Sequence, residues 1–178
     1  MITPIRLVPL LPVSDEIVRL LVPSIGSVYR TDVVVEKPMR KAVESVYDIS
    51  RGQYNSTDLL RKLISLYPDQ SEKILGVVSV DLFVPILTYV FGEAQLNGTA
   101  AVMSTYRLDD AVYGLQPDPV VLFERSLKES IHELGHTYGL LHCRDFDCAM
   151  HASTTVDDID QKGAMLCGKC REQIGIKD

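Results

Sequence analysis

The stretch "HELGHTYGLLHCRDFDCAM", residues 132–150, concentrates the metal-binding side chains of this 178-residue chain. It holds three of the four histidines and two of the four cysteines, and the other two cysteines follow in "CGKC", residues 167–170. Imidazole and thiolate are the side chains that most often bind zinc in proteins. The sequence therefore predicts metal binding here, and the spacing of the residues decides between one site and two.

The histidine spacing predicts a zinc site on a helix. His132 and His136 are four residues apart, which places their imidazoles one turn apart on the same side of a helix. Gly139 permits a sharp turn after the helix, and that turn brings His142 back as a third ligand. Three ligands leave one position open, as in catalytic zinc sites, and Glu133 lies beside it as a proton acceptor for water. The alternative is a chance motif made of surface histidines.

The cysteine spacing predicts a second, structural zinc site. Cys143 and Cys148 form one pair, Cys167 and Cys170 form another, and the 18 residues 149–166 separate the pairs. Four thiolates close the coordination sphere, so a zinc held by them stabilises the fold and takes no part in chemistry. The alternatives are two disulfides or reduced cysteines in the core.

The combined motif resembles a known family. "HELGHTYGLLH" resembles the zinc signature of the metzincin clan of metallopeptidases, and the cysteines, Met150 and "CGKC" that follow resemble the archaemetzincin family. The resemblance implies a zinc metallopeptidase with two zinc ions per chain, one catalytic and one structural. It implies hydrolysis of peptide bonds by zinc-activated water. The implied roles are zinc ligation by His132, His136 and His142, general base catalysis by Glu133, a packing role beneath the metal for Met150, and structural zinc binding by the four cysteines.

One feature departs from the metzincin pattern. Several metzincins have a tyrosine shortly after the turn methionine that stabilises the reaction intermediate, whereas residues 151–178 contain none. His151 is a candidate substitute, with a surface or hydrogen-bonded histidine as the alternative. The departure keeps two rival functions open: a non-catalytic zinc-binding or regulatory protein, and a zinc hydrolase that acts on a non-peptide amide.

The rest of the pattern predicts an α/β (α+β-like) domain with a mixed, mainly parallel sheet and one antiparallel strand. This order is compatible with the resemblance, which implies a metzincin-type domain with that strand at the edge of the sheet. Asn97-Gly98 indicates a hairpin turn. Asp118 and Pro119 suit the start of the helix that carries the histidines. The predicted strands are 4–10, 27–36 and 73–83, the hairpin is 87–108, the connecting loop is 108–119, and the helices are 14–22, 56–67 and 118–139.

The chain length suits one catalytic domain over 1–178, divided into sheet and helices (1–117), the active-site helix (118–139) and a zinc-binding C-terminal part (140–178). Metzincins resemble one another in binding the substrate along an edge strand, which here is "YVFGEAQ", residues 89–95. The candidate substrate-binding residues are therefore Gly92, Glu93 and Ala94. The alternative is a plain edge or hairpin strand.

Composition excludes several classes of partner. The net charge of −6 gives no electrostatic footprint for nucleic acid. No run reaches the roughly 20 apolar residues of a membrane span. Prolines at positions 4, 9 and 12 interrupt the apolar N-terminus and argue against a targeting helix. We expect a cytoplasmic monomer that acts on a peptide or protein substrate.

Overall fold

A five-stranded sheet forms the centre of the structure, a computed structural model that describes residues 3–69 and 71–176. The remaining positions of the predicted 1–178 domain lie outside the described residues. In chain order the elements are β1 (Ile5–Pro9), α1 (Asp15–Tyr29), β2 (Val33–Val35), α2 (Lys41–Glu44), β3 (Tyr47–Asp48), β4 (Gln53–Asn55), α3 (Ser56–Leu66), β5 (Lys73–Val78), β6 (Leu82–Phe83), β7 (Gly92–Ala94), β8 (Ala100–Ser104), α4 (Pro119–Thr137), α5 (Val156–Gln161) and α6 (Gly168–Gln173).

The sheet has the strand order β2-β1-β5-β8-β7. β1 pairs in parallel with β2 and β5, β5 pairs in parallel with β8, and only β7 at the edge runs antiparallel to its neighbour. This arrangement confirms the predicted mixed sheet with one antiparallel edge strand. The predicted turn is also present, since Asn97 has the positive φ of 52° that a tight hairpin requires.

Alternating side chains of the central strands pack against helices on both faces of the sheet. Leu75 and Val77 belong to an apolar cluster that includes residues of α1 and α4. Ile74 and Val78 belong to a second cluster that includes residues of α3. The period of two in a strand explains this division, and burial on both faces explains the nearly continuous apolar sequence of β5.

Helix α1 is longer than predicted, and the strand prediction for 27–36 is wrong in its first half. The helix begins after Ser14, as expected, but Ser14 makes no side-chain capping bond. It continues through Pro23, which lies on the exposed face, to Tyr29. Ile25, Val28 and Tyr29 extend the buried stripe by whole turns, so packing outweighs the missing N–H of the proline.

Two further boundaries differ from prediction. The predicted strand 73–83 ends at Val78, and its last residues form β6 in a separate three-stranded sheet with the order β3-β4-β6. The predicted loop 108–119 contains a 3₁₀ turn over Asp110–Tyr113. The small sheet was not predicted because strands of two or three residues carry too little periodicity to be recognised. No helix in the described part of the chain is long and apolar enough to cross a membrane.

Helix α4 follows the prediction closely at both ends. The side chain of Asp118 accepts hydrogen bonds from the main-chain N–H groups of Val120 and Val121, which is the predicted N-cap. After the helix ends at Thr137, Gly139 has a φ of 89°, as the predicted left-handed turn requires. These two ends fix the register of the histidines within the molecule.

Arg125 of α4 joins three segments through a nearly buried guanidinium. It donates to Asp160 in α5 through Nε and Nη2, both at 2.7 Å. It also donates to Asp110 Oδ1 at 2.7 Å and to the carbonyl of Leu108 at 2.9 Å. Because these contacts bind the middle of the active-site helix to the segments before and after it, Arg125 stabilises the position of the whole helix.

We expect Arg125→Met to lower the free energy of unfolding by about 2–4 kcal/mol, because it leaves Asp110 and the Leu108 carbonyl without their charged partner. Arg61→Met is the matched control, since Arg61 forms an exposed ion pair with Asp58 on α3. The control is expected to cost less than about 1 kcal/mol. Urea unfolding of both variants measures the difference, and equal losses would contradict a structural role for Arg125.

Candidate metal centres and active-site cleft

Three histidines converge at the C-terminal end of α4. His132 and His136 lie on the helix and His142 lies beyond the Gly139 turn. One ring nitrogen from each lies within 4.8 Å of the others. The Nε2 atoms of His132 and His136 are 3.1 Å apart. Two ligands of a tetrahedral zinc with bonds of about 2.0–2.1 Å are roughly 3.3 Å apart, so this separation fits one shared ion.

Hydrogen bonds at the other ring nitrogens orient both helical histidines. Nδ1 of His132 contacts the carbonyl of Ala149 at 2.9 Å, and Nδ1 of His136 contacts the carbonyl of Leu140 at 2.8 Å. A carbonyl only accepts, so each Nδ1 carries the proton and each neutral ring presents a lone pair at Nε2. Two lone pairs that face each other repel, and a cation between them removes the repulsion. The donor set therefore fits a zinc ion.

Burial favours the neutral form of both helical imidazoles. It lowers the pKa of His132 well below the ordinary value, the positive charge of Lys162 lowers it further, and the Ala149 carbonyl acts in the opposite direction. Burial also lowers the pKa of His136, and its bond to the Leu140 carbonyl raises it. Neutral imidazole is the form that binds metal, so the environment favours ligation.

Glu133 lies in the same cleft, beneath the edge strand. Burial raises the pKa of its carboxyl well above the ordinary value, Glu129 and Glu93 raise it further, and Lys162 lowers it. A Cβ atom on Gly92 of β7 would lie 2.6 Å from Glu133 Cγ and 2.8 Å from its Cδ. Gly92 therefore leaves the space that the side chain of Glu133 occupies, a constraint that sequence reasoning did not identify.

A second glycine makes room for the turn beneath the histidines. A Cβ atom on Gly135, between His132 and His136 in the chain, would lie 2.3 Å from Sδ of Met150. Met150 is fully buried. The methionine thus packs directly against the main chain of α4, where the resemblance to metzincins puts it.

The four cysteines form a separate cluster. Their sulfur atoms all lie within 4.8 Å of one another. The Cys143–Cys167 and Cys148–Cys170 sulfur separations are both 3.8 Å. A disulfide requires about 2.05 Å, whereas two thiolates on a tetrahedral zinc with bonds of about 2.3 Å are roughly 3.8 Å apart. The cluster therefore has the dimensions of a four-thiolate zinc site.

One turn connects the two clusters. Cys148 belongs to the sulfur cluster, the carbonyl of Ala149 orients His132, and Met150 packs under the helix. The main-chain N–H of Cys143 donates to the carbonyl of Met150 at 2.8 Å. Consequently the position of the sulfur cluster and the position of His132 depend on the same main-chain atoms.

The histidines and Glu133 open into a cleft of about 500 Å³. Its upper wall is the segment 87–94, which ends in β7, and its lower wall includes Ser153 and Thr154, which follow the Met150 turn. Glu129, one turn before the first histidine, also lines it. The cleft therefore exposes the candidate metal site along an edge strand.

A buried ion pair supports the lower side of this cleft. Lys162 Nζ lies 2.8 Å from Glu129 Oε1, and only 1% and 4% of the two side chains are exposed. That oxygen has no partner with hydrogen-bond geometry, so the contact is electrostatic, while Nζ donates to the carbonyl of His151 at 3.3 Å. Glu129 lies three residues before His132 and four before Glu133, so its position in the cleft could have been predicted from helical spacing. Nothing in the local sequence indicates that Lys162 is buried.

Two candidate residues are hydrogen-bonded within the protein. The carboxylate of Glu93 accepts hydrogen bonds from the hydroxyls of Ser56 and Thr57 in the first turn of α3. His151 contacts the carbonyl of Cys143 through Nδ1 at 3.0 Å, and its ring packs on Phe146. His151 is thus the hydrogen-bonded histidine of the alternative reading, and Glu93 anchors β7 to α3.

Comparison with known proteins is consistent with this site. The model of peptidase family M54 matches residues 15–175. The archaemetzincin of Methanocaldococcus jannaschii is 39% identical over 174 residues, which cover 98% of this chain and 94% of the relative. The archaemetzincin of Archaeoglobus fulgidus is 36% identical and covers 92% of this chain and 94% of its own.

Solved structures give the same result. The crystal structure of the A. fulgidus archaemetzincin complexed with malonate aligns with a TM-score of 0.83 and 34% identity, over 96% of this chain and 99% of that one. A zinc-dependent peptidase from Methanocorpusculum labreanum aligns with a TM-score of 0.87 and 29% identity, over 96% and 100%. The chain therefore belongs to peptidase family M54, the archaemetzincins, and is a zinc-dependent metallopeptidase.

Proposed function

We propose that His132, His136 and His142 hold the catalytic zinc and that Glu133 is the general base for peptide-bond hydrolysis. The observation that carries the proposal is the convergence of the His132 and His136 Nε2 atoms, 3.1 Å apart, in the cleft that also contains the buried Glu133. A purely structural zinc site has no need of such a base. The carboxylate therefore favours a catalytic role over a binding role.

The chain's own residues suit the proton transfers of this reaction. When bound, zinc supplies a Lewis acid that polarises the scissile carbonyl and promotes ionisation of water. Glu133 accepts the proton from the attacking water and delivers it to the leaving amine. Burial raises the pKa of this carboxyl above its ordinary value, which is the direction that strengthens it as a base for the proton of water.

We infer that the peptide substrate binds along the outer edge of β7. The main-chain N–H of Gln95 donates to the carbonyl of Ala100, and the main-chain N–H of Ser104 donates to the carbonyl of Phe91. In an antiparallel pair alternate residues face the partner strand, so the main-chain groups of Gly92 and Ala94 face the cleft. An extended peptide can pair with them as an additional strand. Glu93 contributes indirectly, because its carboxylate holds β7 against α3.

We further propose that the four cysteines bind a second zinc ion, which is structural. The support is the 3.8 Å sulfur separations, which match a closed tetrahedral site. Such an ion would hold α6 against the turn that carries Cys148 and Met150. The protein would then contain two zinc ions, one for chemistry and one for the support of the catalytic ligands.

We expect Glu133→Ala to retain zinc and to lose about 10²-fold or more of the peptidase activity, the scale of a missing general base. Glu124→Ala is the matched control, because Glu124 is an exposed glutamate on the same helix. Both proteins would be loaded with zinc to the same content and tested on a peptide library by mass spectrometry. Undiminished hydrolysis by the Glu133 variant would refute its role as base.

If the wild-type protein and the Glu124 variant both fail to cleave any peptide of a broad library, the peptidase mechanism proposed for this site is wrong. A binding function for the histidine cluster would then explain the geometry better. Zinc analysis of the same samples excludes loss of metal as the cause.

Elemental analysis of protein purified without chelator is expected to give two zinc ions per chain. Cys167→Ser should lower the free energy of unfolding by more than about 3 kcal/mol, since loss of a structural metal is among the most damaging substitutions. His142→Ala should lower it less, because His142 is exposed and its helical partners remain. One zinc per chain with four reactive thiols, or equal losses in both variants, would contradict the proposed division of roles.

Gly92→Ala should lower kcat by about 10- to 100-fold through displacement of the Glu133 carboxylate, since small misplacements of a catalytic group have effects of this size. The added methyl group would overlap the Glu133 side chain and also the main-chain oxygen of Val102 in β8. Zinc content and thermal unfolding of the variant show whether the site and fold survive. Wild-type kcat in a folded, zinc-loaded variant would show that the contact does not position the base.

A further inference from the structure

A hydrogen bond crosses the cleft from its upper wall to its lower wall. The hydroxyl of Tyr89, three residues before β7, donates to the carbonyl of Thr154 at 3.2 Å. Both residues line the cleft that contains the histidines and Glu133. This contact, the Tyr89–Thr154 bridge, joins the two walls where the chain enters β7, next to Val90, whose main-chain N–H is already paired with the carbonyl of Leu82.

The upper end of the bridge is held by the small sheet. Arg51 donates to the carbonyls of Leu87 and Thr88, and Gln53 Nε2 donates to the Thr88 carbonyl at 3.0 Å. Gln53 Nε2 also contacts Asp81, at 3.0 Å. These bonds fix the main chain next to Tyr89, so the segment has the contacts of a rigid wall.

The aromatic ring of Tyr89 is fixed as well. The guanidinium of Arg107 lies 4.7 Å from the ring centroid, and the Phe91 ring packs edge-on at 5.5 Å. Arg107 is itself oriented by both carboxylate oxygens of Asp81. The side chain that forms the bridge therefore has a defined position before any substrate binds.

The lower end of the bridge is held by a helix cap. The side chain of Asp158 accepts from the main-chain N–H groups of Thr154 and Thr155, at 2.8 and 2.9 Å, and from the Thr154 hydroxyl at 2.9 Å. The Thr155 side chain in turn accepts from the N–H of Asp158. This capping box ties the carbonyl of Thr154 to the start of α5.

We propose that the Tyr89–Thr154 bridge closes one end of the cleft, so that the protein cleaves near one end of a peptide. The proposal rests on the proposed function of the same site. Gly92 lies over Glu133, and three residues of extended chain span at most roughly 10 Å. About three substrate residues therefore fit between the scissile bond and the bridge. A longer extension on that side must break a hydrogen bond between two anchored walls.

The test uses one short substrate from the library, extended stepwise at its N-terminus in one series and at its C-terminus in another. In the wild-type protein, one series should lose about tenfold or more in kcat/KM once the extension exceeds about three residues. Tyr89→Ala, which removes the bridge, should abolish most of this loss. Tyr89→Phe, which removes only the hydroxyl, should recover about twofold to tenfold, the range that one hydrogen bond supplies.

Tyr113→Phe is the matched control, because its hydroxyl donates to the carbonyl of Arg107 outside the cleft. It should retain the length dependence of the wild-type protein. The same peptides, labelled and titrated against proteins that also carry Glu133→Ala, give the length dependence of binding without turnover.

The outcomes separate this inference from the proposed function. Equal kcat/KM and equal affinity for short and long peptides of both series would refute the proposal that the bridge closes the cleft. A length dependence that Tyr89→Ala leaves intact would refute it as well. Length-dependent binding without hydrolysis by the wild-type protein would support the bridge and reject the peptidase mechanism proposed above. Zinc content and thermal unfolding of each variant confirm that the compared proteins are folded.

Discussion

The hydrogen bond between His132 Nδ1 and the carbonyl of Ala149 is the contact on which the site depends. It fixes the tautomer of His132 and joins the active-site helix to a turn that is otherwise distant in sequence. The same turn contributes Cys148 to the sulfur cluster and Met150 to the packing under Gly135. Partners of this kind, one shell outside a metal, orient ligands and raise their basicity. A metal bound by the cysteines would thus constrain the histidine geometry through a few main-chain atoms.

The position of the helix that carries the histidines has an unfavourable electrostatic free energy, because it buries several ionisable side chains. Glu129, Glu133 and His132 are all buried on one stretch of α4. Burial of ionisable groups without partners is unfavourable, and Lys162 offsets part of it by contact with Glu129. Such a concentration of buried ionisable groups in a cleft is typical of catalytic sites. Burial is the main cause of the lowered pKa of His132, and the positive charge of Lys162 lowers that pKa further.

The sequence was most informative where periodicity and chemistry coincide. The α4 helix, its Asp118 cap, the left-handed Gly139 and both sets of candidate ligands could be predicted from local spacing, and the structure brings each candidate set together. The course of α1 past Pro23 could not be predicted, because it depends on which side of the helix faces the sheet. Contacts between distant segments, such as Gly92 with Glu133 or Lys162 with Glu129, leave no trace in local sequence. The cytoplasmic location and the monomeric state stay predictions.

The small sheet β3-β4-β6 helps to position the wall of the cleft that leads into β7. A sheet of such short strands contributes little stability alone. Its value lies in position, because Gln53 of β4 and the adjacent Arg51 bind the carbonyls of the segment that leads into β7. An edge strand with free main-chain groups is prone to shift or to pair wrongly unless neighbouring elements hold it. Glu93, bound to the first turn of α3, and the bonds from Arg51 and Gln53 hold the two ends of this wall. The shape of this wall of the cleft therefore depends on hydrogen bonds from α3, from β4 and from the turn that precedes β4.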